Sequence, residues 1–333
     1  MNIYDISKKA GVSIATVSRV INGNTNVSQK TKEKVLAIIE ESGFTPNAFA
    51  RGLGLNTMQT IGILCADCSD PYLARAIFLL ERELREHNYD SILCCTGYNL
   101  DTKKKRLNLL MSKRVDAIIM VGSNFVEVND TDNDYIREAA KQMPVMILNG
   151  ALEGENVYSI LCDDYKAMYD ATNSMLDSNH TKILYIYNSL SYSGLKKVAG
   201  YKAAMESRNL PVKEEYIQYI EGSIIDVKNR LLKLTEQGLC IDGIITADDN
   251  LAIGSLKFAK AKGLSVPDEL SVIGYNNSIV AECCEPELTS IDNKLESVSK
   301  NCINSLMGVF AGEDIPLKTV FSAELIKRNT TSF

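Results

Sequence analysis

Ile3-Tyr4-Asp5-Ile6-Ser7-Lys8-Lys9-Ala10-Gly11-Val12-Ser13-Ile14-Ala15-Thr16-Val17-Ser18-Arg19-Val20-Ile21-Asn22-Gly23 reads as two short helices around a glycine turn. Asn2 can cap the first helix with Asp5 at its third position, Ile6 and Ala10 face inward, and Gly11 supplies the left-handed residue that ends it. Ser13 caps the second helix, whose Val17, Val20 and Ile21 fall at i, i+3 and i+4, and Asn22-Gly23 stops it. Ser28 caps a third helix that buries Val35, Ile38 and Ile39 and ends at Gly43. Two helices separated only by Gly11-Val12 make a helix-turn-helix, in which the first braces the second against the major groove. Ile14, Ala15, Ser18 and Arg19 are left on the outer face of the second helix. There Arg19 can bond both acceptors on a guanine edge, and Ile14 and Ala15 can meet a thymine methyl. A three-helix protein-binding module with a solvated Arg19 would show the same pattern.

Charge separates this head from the rest of the chain. Residues 1–59 carry seven bases against four acids, and the remaining residues 29 bases against 38 acids, so a small basic head precedes a large acidic body. Only the head is suited to touch a polyanion. At 333 residues, 45% hydrophobic and 23% charged, the composition is that of a globular protein of about two domains, not of a disordered, collagenous or coiled-coil chain. No apolar run approaches the roughly 18 residues of a membrane span, and Met1-Asn2-Ile3-Tyr4-Asp5 is too polar for a signal peptide. A cytoplasmic protein is expected. Its nine cysteines are scattered through apolar surroundings, which points to reduced, mostly buried thiols. Cys65 and Cys68 have metal or redox spacing, but His87 and His180 lie in polar stretches and supply no further ligand motif, so neither metal nor cofactor is expected.

From Ile61 onward, apolar runs alternate with amphipathic stretches. Ile61–Cys65, Ser91–Cys95, Ala117–Val121 and Val145–Leu148 read as strands, separated by helical patterns such as Tyr72 to His87, where Leu73, Ile77, Leu80 and Leu84 line one face. The rhythm restarts at Ile183–Tyr187 and continues near Tyr216–Ile220, Gly243–Thr246 and Leu270–Gly274. Two doubly wound parallel sheets follow, and ligands in such sheets bind beyond the carboxyl ends of the strands. The expected architecture is a small all-α helix-turn-helix head plus an α/β body of two doubly wound lobes facing a cleft.

Enzyme signatures are wanting. There is no G-x-S-x-G elbow and no P-loop, and Gly52-Leu53-Gly54 lacks the third glycine and preceding strand of a dinucleotide site. Asp130, Asp132 and Asp134 imitate the start of a calcium loop, but Tyr135 stands where glycine is needed and Lys141 where glutamate should close it. A polar turn opening a helix at Tyr135–Lys141 fits better. Asp248-Asp249 could pose as paired carboxylates, yet sequence neighbours need not point together.

Several of these residues carry a family resemblance. Ile3-Tyr4-Asp5-Ile6, Ala10-Gly11-Val12-Ser13, Ala15 to Asn22 and Phe44-Thr45-Pro46-Asn47-Ala48-Phe49-Ala50-Arg51-Gly52-Leu53 resemble the head and hinge of LacI-family transcriptional regulators. In the body, Val115–Ile119, Gly200-Tyr201, Asp249 with Leu251–Gly254, Val272–Tyr275, Leu288–Ile291 and Glu324–Arg328 match the periplasmic sugar-binding fold of the same family. The resemblance implies DNA contacts at Ser13, Ile14, Ala15, Thr16, Ser18, Arg19 and Asn22. It implies more at Asn47, Ala50 and Leu53 of a hinge helix, Pro46 to Leu55, that enters the minor groove with Leu53 as a wedge. An apolar wedge of that kind unstacks a step and bends the duplex.

The implied organisation is a DNA-binding domain at 1–45, a hinge at 46–59 and an effector-binding and dimerisation body at 60–333. The body divides into a first lobe of about 60–160 and 291–319 and a second of about 161–290 and 320–333. The implied partners are a pseudo-palindromic double-stranded operator, a small effector and a second copy of the chain, with no membrane. A dimer is favoured over a tetramer because the chain ends at Phe333 without leucine heptads. Effector contacts carry over to Asp70, Pro71, Tyr72, Lys197, Asp248, Asn276 and Leu295. Asp70, Lys197, Asp248 and Asn276 depart from the family's usual asparagine, arginine, asparagine and aspartate. A lysine is a mobile point charge where arginine gives a planar fork, and Asp248 accepts from hydroxyls but repels anions. A neutral sugar or polyol is therefore favoured, with Tyr72 as a platform for a ring face. The alternative is control by a phosphoserine carrier protein, but Gly274–Asn293, where the resemblance would place it, contains no lysine or arginine and holds Glu282, Glu285 and Glu287.

Overall fold

In the computed structural model, which describes residues 2–21, 26–43 and 57–333, the first three helices form where their caps require: Ile3–Ala10, Ile14–Ile21 and Gln29–Ser42. Asn2 and Asp5 close a reciprocal capping box, and Ser13 Oγ accepts from Thr16 N at 3.1 Å. Gly11 and Gly43 end their helices in the left-handed region, at φ +68° and +60°. Ile6, Ala10, Val17, Val20 and Val35 share one small core, with Ile21, Ile38 and Ile39 packed against it. That packing leaves Ile14, Ala15 and Arg19 exposed and Thr16 and Ser18 half-buried on the outer side of the second helix. Asn22 and the hinge residues Asn47, Ala50 and Leu53 lie outside the described residues.

The body holds two six-stranded sheets. The first contains β1 (Thr60–Cys65), β2 (Asp90–Cys95), β3 (Ala117–Val121), β4 (Val145–Leu148), β5 (Val157–Cys162) and β11 (Lys318–Phe321), in the order β11-β5-β4-β3-β1-β2, all parallel. The second contains β6 (Ile183–Tyr187), β7 (Ile217–Tyr219), β8 (Gly243–Thr246), β9 (Ser271–Tyr275), β10 (Thr289–Asp292) and β12 (Glu324–Ile326). Its order is β12-β10-β9-β8-β6-β7, with β12 antiparallel to β10. Residues Ala117–Val121, Val145–Leu148 and Gly243–Thr246 are buried throughout, because helices cover both faces of each sheet. Over the first sheet, Pro71–Glu86 contributes Leu73, Leu80 and Leu84, and Leu295–Ala311 contributes Val298, Cys302 and Leu306. The chain crosses between sheets after β5, after β10 and after β11. At the second crossing Lys294, itself left-handed at φ +58°, extends its ammonium to both Asp292 and Glu324 and so joins two of the three connections.

The thiols differ from expectation. Cys68 is joined to Cys95, and Cys240 and Cys283 are exposed, so the cysteines are neither all reduced nor mostly buried. Parallel pairing sets Cys65 beside Cys95, and the turn after β1 then folds Cys68 over the end of β2. A count along the chain carries no information about that cross-strand approach. Asp130–Asn133 forms a short 3-10 turn before the helix Asp134–Ala140, and Asp130 and Asp134 are both taken up by Arg137. Among the described residues no group of three or more His, Cys, Asp or Glu is placed to hold a metal, and no helix is long and apolar enough to cross a membrane.

Helix Tyr192–Ser207 lies against helix Asp164–Asp177 at Gly200, where a Cβ would stand 2.2 Å from the Tyr165 carbonyl oxygen. A backbone atom cannot swing aside as a side-chain end can, so a side chain at Gly200 has to push the helices apart. Gly200→Ala is expected to lower unfolding free energy by about 1 to 3 kcal/mol, with an unchanged m-value in urea titration. Wild-type stability in that variant would mean the two helices are free to slide.

Candidate functional site

The residues that follow the strand ends meet around a cavity of about 510 Å3 between the two lobes. Asp70 and Tyr72 follow β1, Asn149 follows β4, Asp248 follows β8, Asn276 follows β9 and Asn293 follows β10. A buried parallel strand has little place for charged or amide side chains along its length, so they gather where it ends. Each lobe brings an acidic helix cap to the cavity. Asp70 Oδ1 accepts from Leu73 N at 2.9 Å, and Asp248 Oδ1 from Leu251 N at 2.9 Å. Aspartate and asparagine cap equally well, and the helix N-terminus favours the negative charge, which accounts locally for an acid at both positions.

Lys197 forms the floor on the second-lobe side. It is 7% exposed, its ammonium donates to the Ala247 carbonyl at 3.0 Å, and it sits 3.5 Å from the centre of the Tyr275 ring. It is thus a fixed, buried charge, in contrast to the mobile one expected from the sequence. Tyr275 in turn donates its hydroxyl to Asp164, which is also buried. Burial pushes the Asp164 and Asp248 carboxyls above the usual range, against the pull of the Lys197 charge. Burial likewise pushes Lys197 below its ordinary value, opposed by Asp164 and Asp248.

On the first-lobe side, the Tyr72 hydroxyl pairs with the Asn149 amide. Asn276, left-handed at φ +94°, accepts from Asn293 Nδ2 at 3.0 Å. Asn293 is part of the cavity lining, and its side-chain oxygen is buried with no donor among the described residues. A turn of the amide toward the cavity would let a ligand hydroxyl satisfy it. Lys103 is buried at the cavity edge and donates to Glu127 at 2.6 Å and to the Asn124 carbonyl at 2.5 Å. The lobes already touch on this side, with Ser123 Oγ 2.8 Å from Ser191 Oγ.

Five of the seven residues expected here, Asp70, Tyr72, Lys197, Asp248 and Asn276, come together around the cavity. Pro71 and Leu295 do not line it. Pro71 is exposed on the first turn of its helix, and Leu295 packs into the first-lobe core, two residues beyond Asn293, which reaches the cavity instead. Asp248 and Asp249 diverge. Asp249 turns inward to accept from Ser278 N, Ser278 Oγ and Ser290 Oγ, so the two are not a catalytic pair. Asn149 and Asn293 went unread in the sequence, although each directly follows a strand, and that position is the signal that finds them.

Because the folded-state carboxyls of Asp164 and Asp248 lie above their unfolded values, their contribution to stability is full below the unfolded pKa. It is lost as pH rises through the folded midpoints. Lys197→Met removes the charge that holds both midpoints down, so both should rise further in a carboxyl carbon-13 NMR titration. Unmoved midpoints would mean the ammonium and the carboxylates are uncoupled.

Comparison with known proteins places this geometry. Residues 58–328 match the family described as periplasmic binding proteins and sugar binding domain of the LacI family, and residues 2–47 match bacterial regulatory proteins of the lacI family. An HTH-type transcriptional regulator of Lachnoclostridium phytofermentans is 56% identical over 333 residues, covering 100% of both chains. Catabolite control protein A of Priestia megaterium is 34% identical over 297 residues, 87% of each chain. The crystal structure of the lac repressor dimer bound to operator and the anti-inducer ONPF superposes with a TM-score of 0.90, at 22% identity and 99% coverage of both chains.

Proposed function

The chain belongs to the LacI family of DNA-binding transcriptional regulators, and from that premise we propose that it is a homodimeric repressor whose operator affinity is switched by a neutral sugar or polyol between its lobes. The observation that carries the effector reading is the makeup of the cavity. Its acids are Asp70, Glu127, Glu221 and Asp248, its cations Lys103 and Lys197, and both cations are already engaged inside the protein. Amides, carboxylates and the unpaired Asn293 oxygen match hydroxyl groups, whereas a phosphate or acidic sugar would meet excess negative charge. Asp70, Tyr72, Lys197, Asp248 and Asn276 are the proposed contacts, with Asn149 and Asn293 added.

A phosphorylated protein partner finds less support. The guanidinium reaching the 274–293 stretch is that of Arg328, which already donates to the Leu288 carbonyl at 2.9 Å and to Asn277 Oδ1 at 2.8 Å. The homodimer is supported by exposed apolar groups on helix Pro71–Glu86 and the neighbouring edge strand β2, where Phe78 and Leu93 face solvent. Two heads on one duplex roughly double the contacts of a single small module, which suits a pseudo-palindrome of about 14 to 20 base pairs. We place the head at 1–45, the hinge at 46–59 and the body at 60–333, with Ser13, Ile14, Ala15, Thr16, Ser18, Arg19 and Asn22 at the major groove and Asn47, Ala50 and Leu53 at the hinge.

Operator binding followed by fluorescence anisotropy should weaken steeply with salt. Arg19→Ala should cost about 1 to 3 kcal/mol and relax selectivity at one base position in each half-site. Unchanged selectivity in a randomised-site selection would remove Arg19 from base readout. In the body, Asp248→Ala should abolish the change in operator affinity caused by sugar, while effector-free affinity stays within about twofold, since the effector acts only through its different affinity for two body states. Loss of effector-free DNA binding in a folded dimer of that variant would make the cavity structural.

A further inference from the structure

We infer that the mouth of the cleft is a second subsite, built from Tyr98 of the first lobe and Tyr219 of the second, that stacks a further sugar ring, so that the effector is a neutral oligosaccharide of two or more rings. This rests on the sugar reading above and extends it outward from the floor. The cavity, at about 510 Å3, falls within the roughly 300 to 1,000 Å3 that hold ligands of drug size, and the buried polar groups occupy only its inner part. The outer part is different in kind, for Tyr98 is 59% exposed, Tyr219 43% and Leu190 58%, all of them in the lining.

Tyr219 is held through its ring and Tyr98 through the backbone of its turn. Tyr219 ends a ladder of rings that begins in the second-lobe core. Tyr201 stacks on Tyr185 at 5.4 Å, Tyr185 on Tyr187 at 5.7 Å, and Tyr187 meets Tyr219 edge-on at 5.3 Å. The Tyr219 hydroxyl donates to Glu221 at 2.5 Å, which fixes the ring at its other end. Tyr98 follows the end of β2, where the Cys68–Cys95 disulfide and the bond from Gly97 N to the Ala66 carbonyl, 2.9 Å, tie the turn to β1. Aromatic faces held in advance bind a ring without a further loss of side-chain freedom. A pyranose has an apolar face of C–H groups and a rim of hydroxyls. The mouth offers the matching surfaces, with tyrosine faces for the ring and the Glu221 and Glu127 carboxylates as acceptors for the rim.

The test is calorimetric titration of the full chain with glucose, galactose, maltose, cellobiose, lactose and the matching trisaccharides. At least one disaccharide should bind tenfold or more tightly than its component monosaccharides. Tyr219→Ala and Tyr98→Ala should each weaken that disaccharide about tenfold and leave monosaccharide affinity within twofold, while Tyr219→Phe, which keeps the ring, should retain most of the preference. If monosaccharides bind and no second ring adds affinity, or if the alanine variants weaken both ligands equally, the subsite is overturned and the sugar reading stands. If no sugar binds while the operator is still bound, the sugar reading falls and the subsite with it.

Discussion

Strands covered by helices on both faces have little room for charged groups along their length, and much of this molecule follows from that constraint. Ala117–Val121 and Val145–Leu148 are apolar and fully buried, and Gly243–Thr246 is buried with the Thr246 hydroxyl at its end. The residues immediately after the strands are therefore free to carry chemistry, and two lobes built alike bring two such rims together. The same ends start helices, which is why Asp70 and Asp248 can be caps and cavity residues at once.

The cavity floor is an arrangement of charges that would each be costly alone. Lys197 lies close enough to Asp164 and to Asp248 to oppose the desolvation of each, as they oppose its own, and Tyr275 links Lys197 to Asp164 by its ring and its hydroxyl. Removing one member strands the others, so the group behaves as a unit. Such a unit is sensitive to what enters the cavity, because a ligand hydroxyl changes the balance for all of its members. The lobes meet at Ser123 and Ser191 and are strapped together at Lys294, so relative motion is guided toward opening and closing.

The parts of this structure governed by short-range rules were legible in the sequence. The head is set by caps and by a spacing of three and four, and the observed capping box, glycine ends and exposed Ile14, Ala15 and Arg19 follow from local geometry. Strands such as Ala117–Val121 and Val145–Leu148 stand out because full burial makes them continuously apolar. Val157–Cys162 is interrupted by Ser159, Thr289–Asp292 is mostly polar, and Lys318–Phe321 and Glu324–Ile326 are short edge strands, so none of these announces itself by pattern. The cavity was legible where a motif fixes the position, as at Asp70 and Lys197. It was not legible at Asn293, Pro71 and Leu295, where a shift of one or two residues on a turn decides which side chain reaches inward. The Cys68–Cys95 bond depends on which strands are neighbours, and that is a property of the whole sheet.

The interleaving of the lobes has a consequence for biosynthesis. β11 and helix Leu295–Ala311 belong to the first sheet, yet they are encoded after β10, the last of the second sheet's parallel strands. A nascent chain emerging from the ribosome would expose the apolar face carrying Ile61, Ile119 and Met146 until Val298, Cys302 and Leu306 arrive to cover it. The second lobe, apart from β12 and the segment that follows it to Phe333, is made before the first can close. The lobe that begins first in the chain thus waits for a helix and a strand made after most of the second, and that interval is when a molecular chaperone would have most to hold.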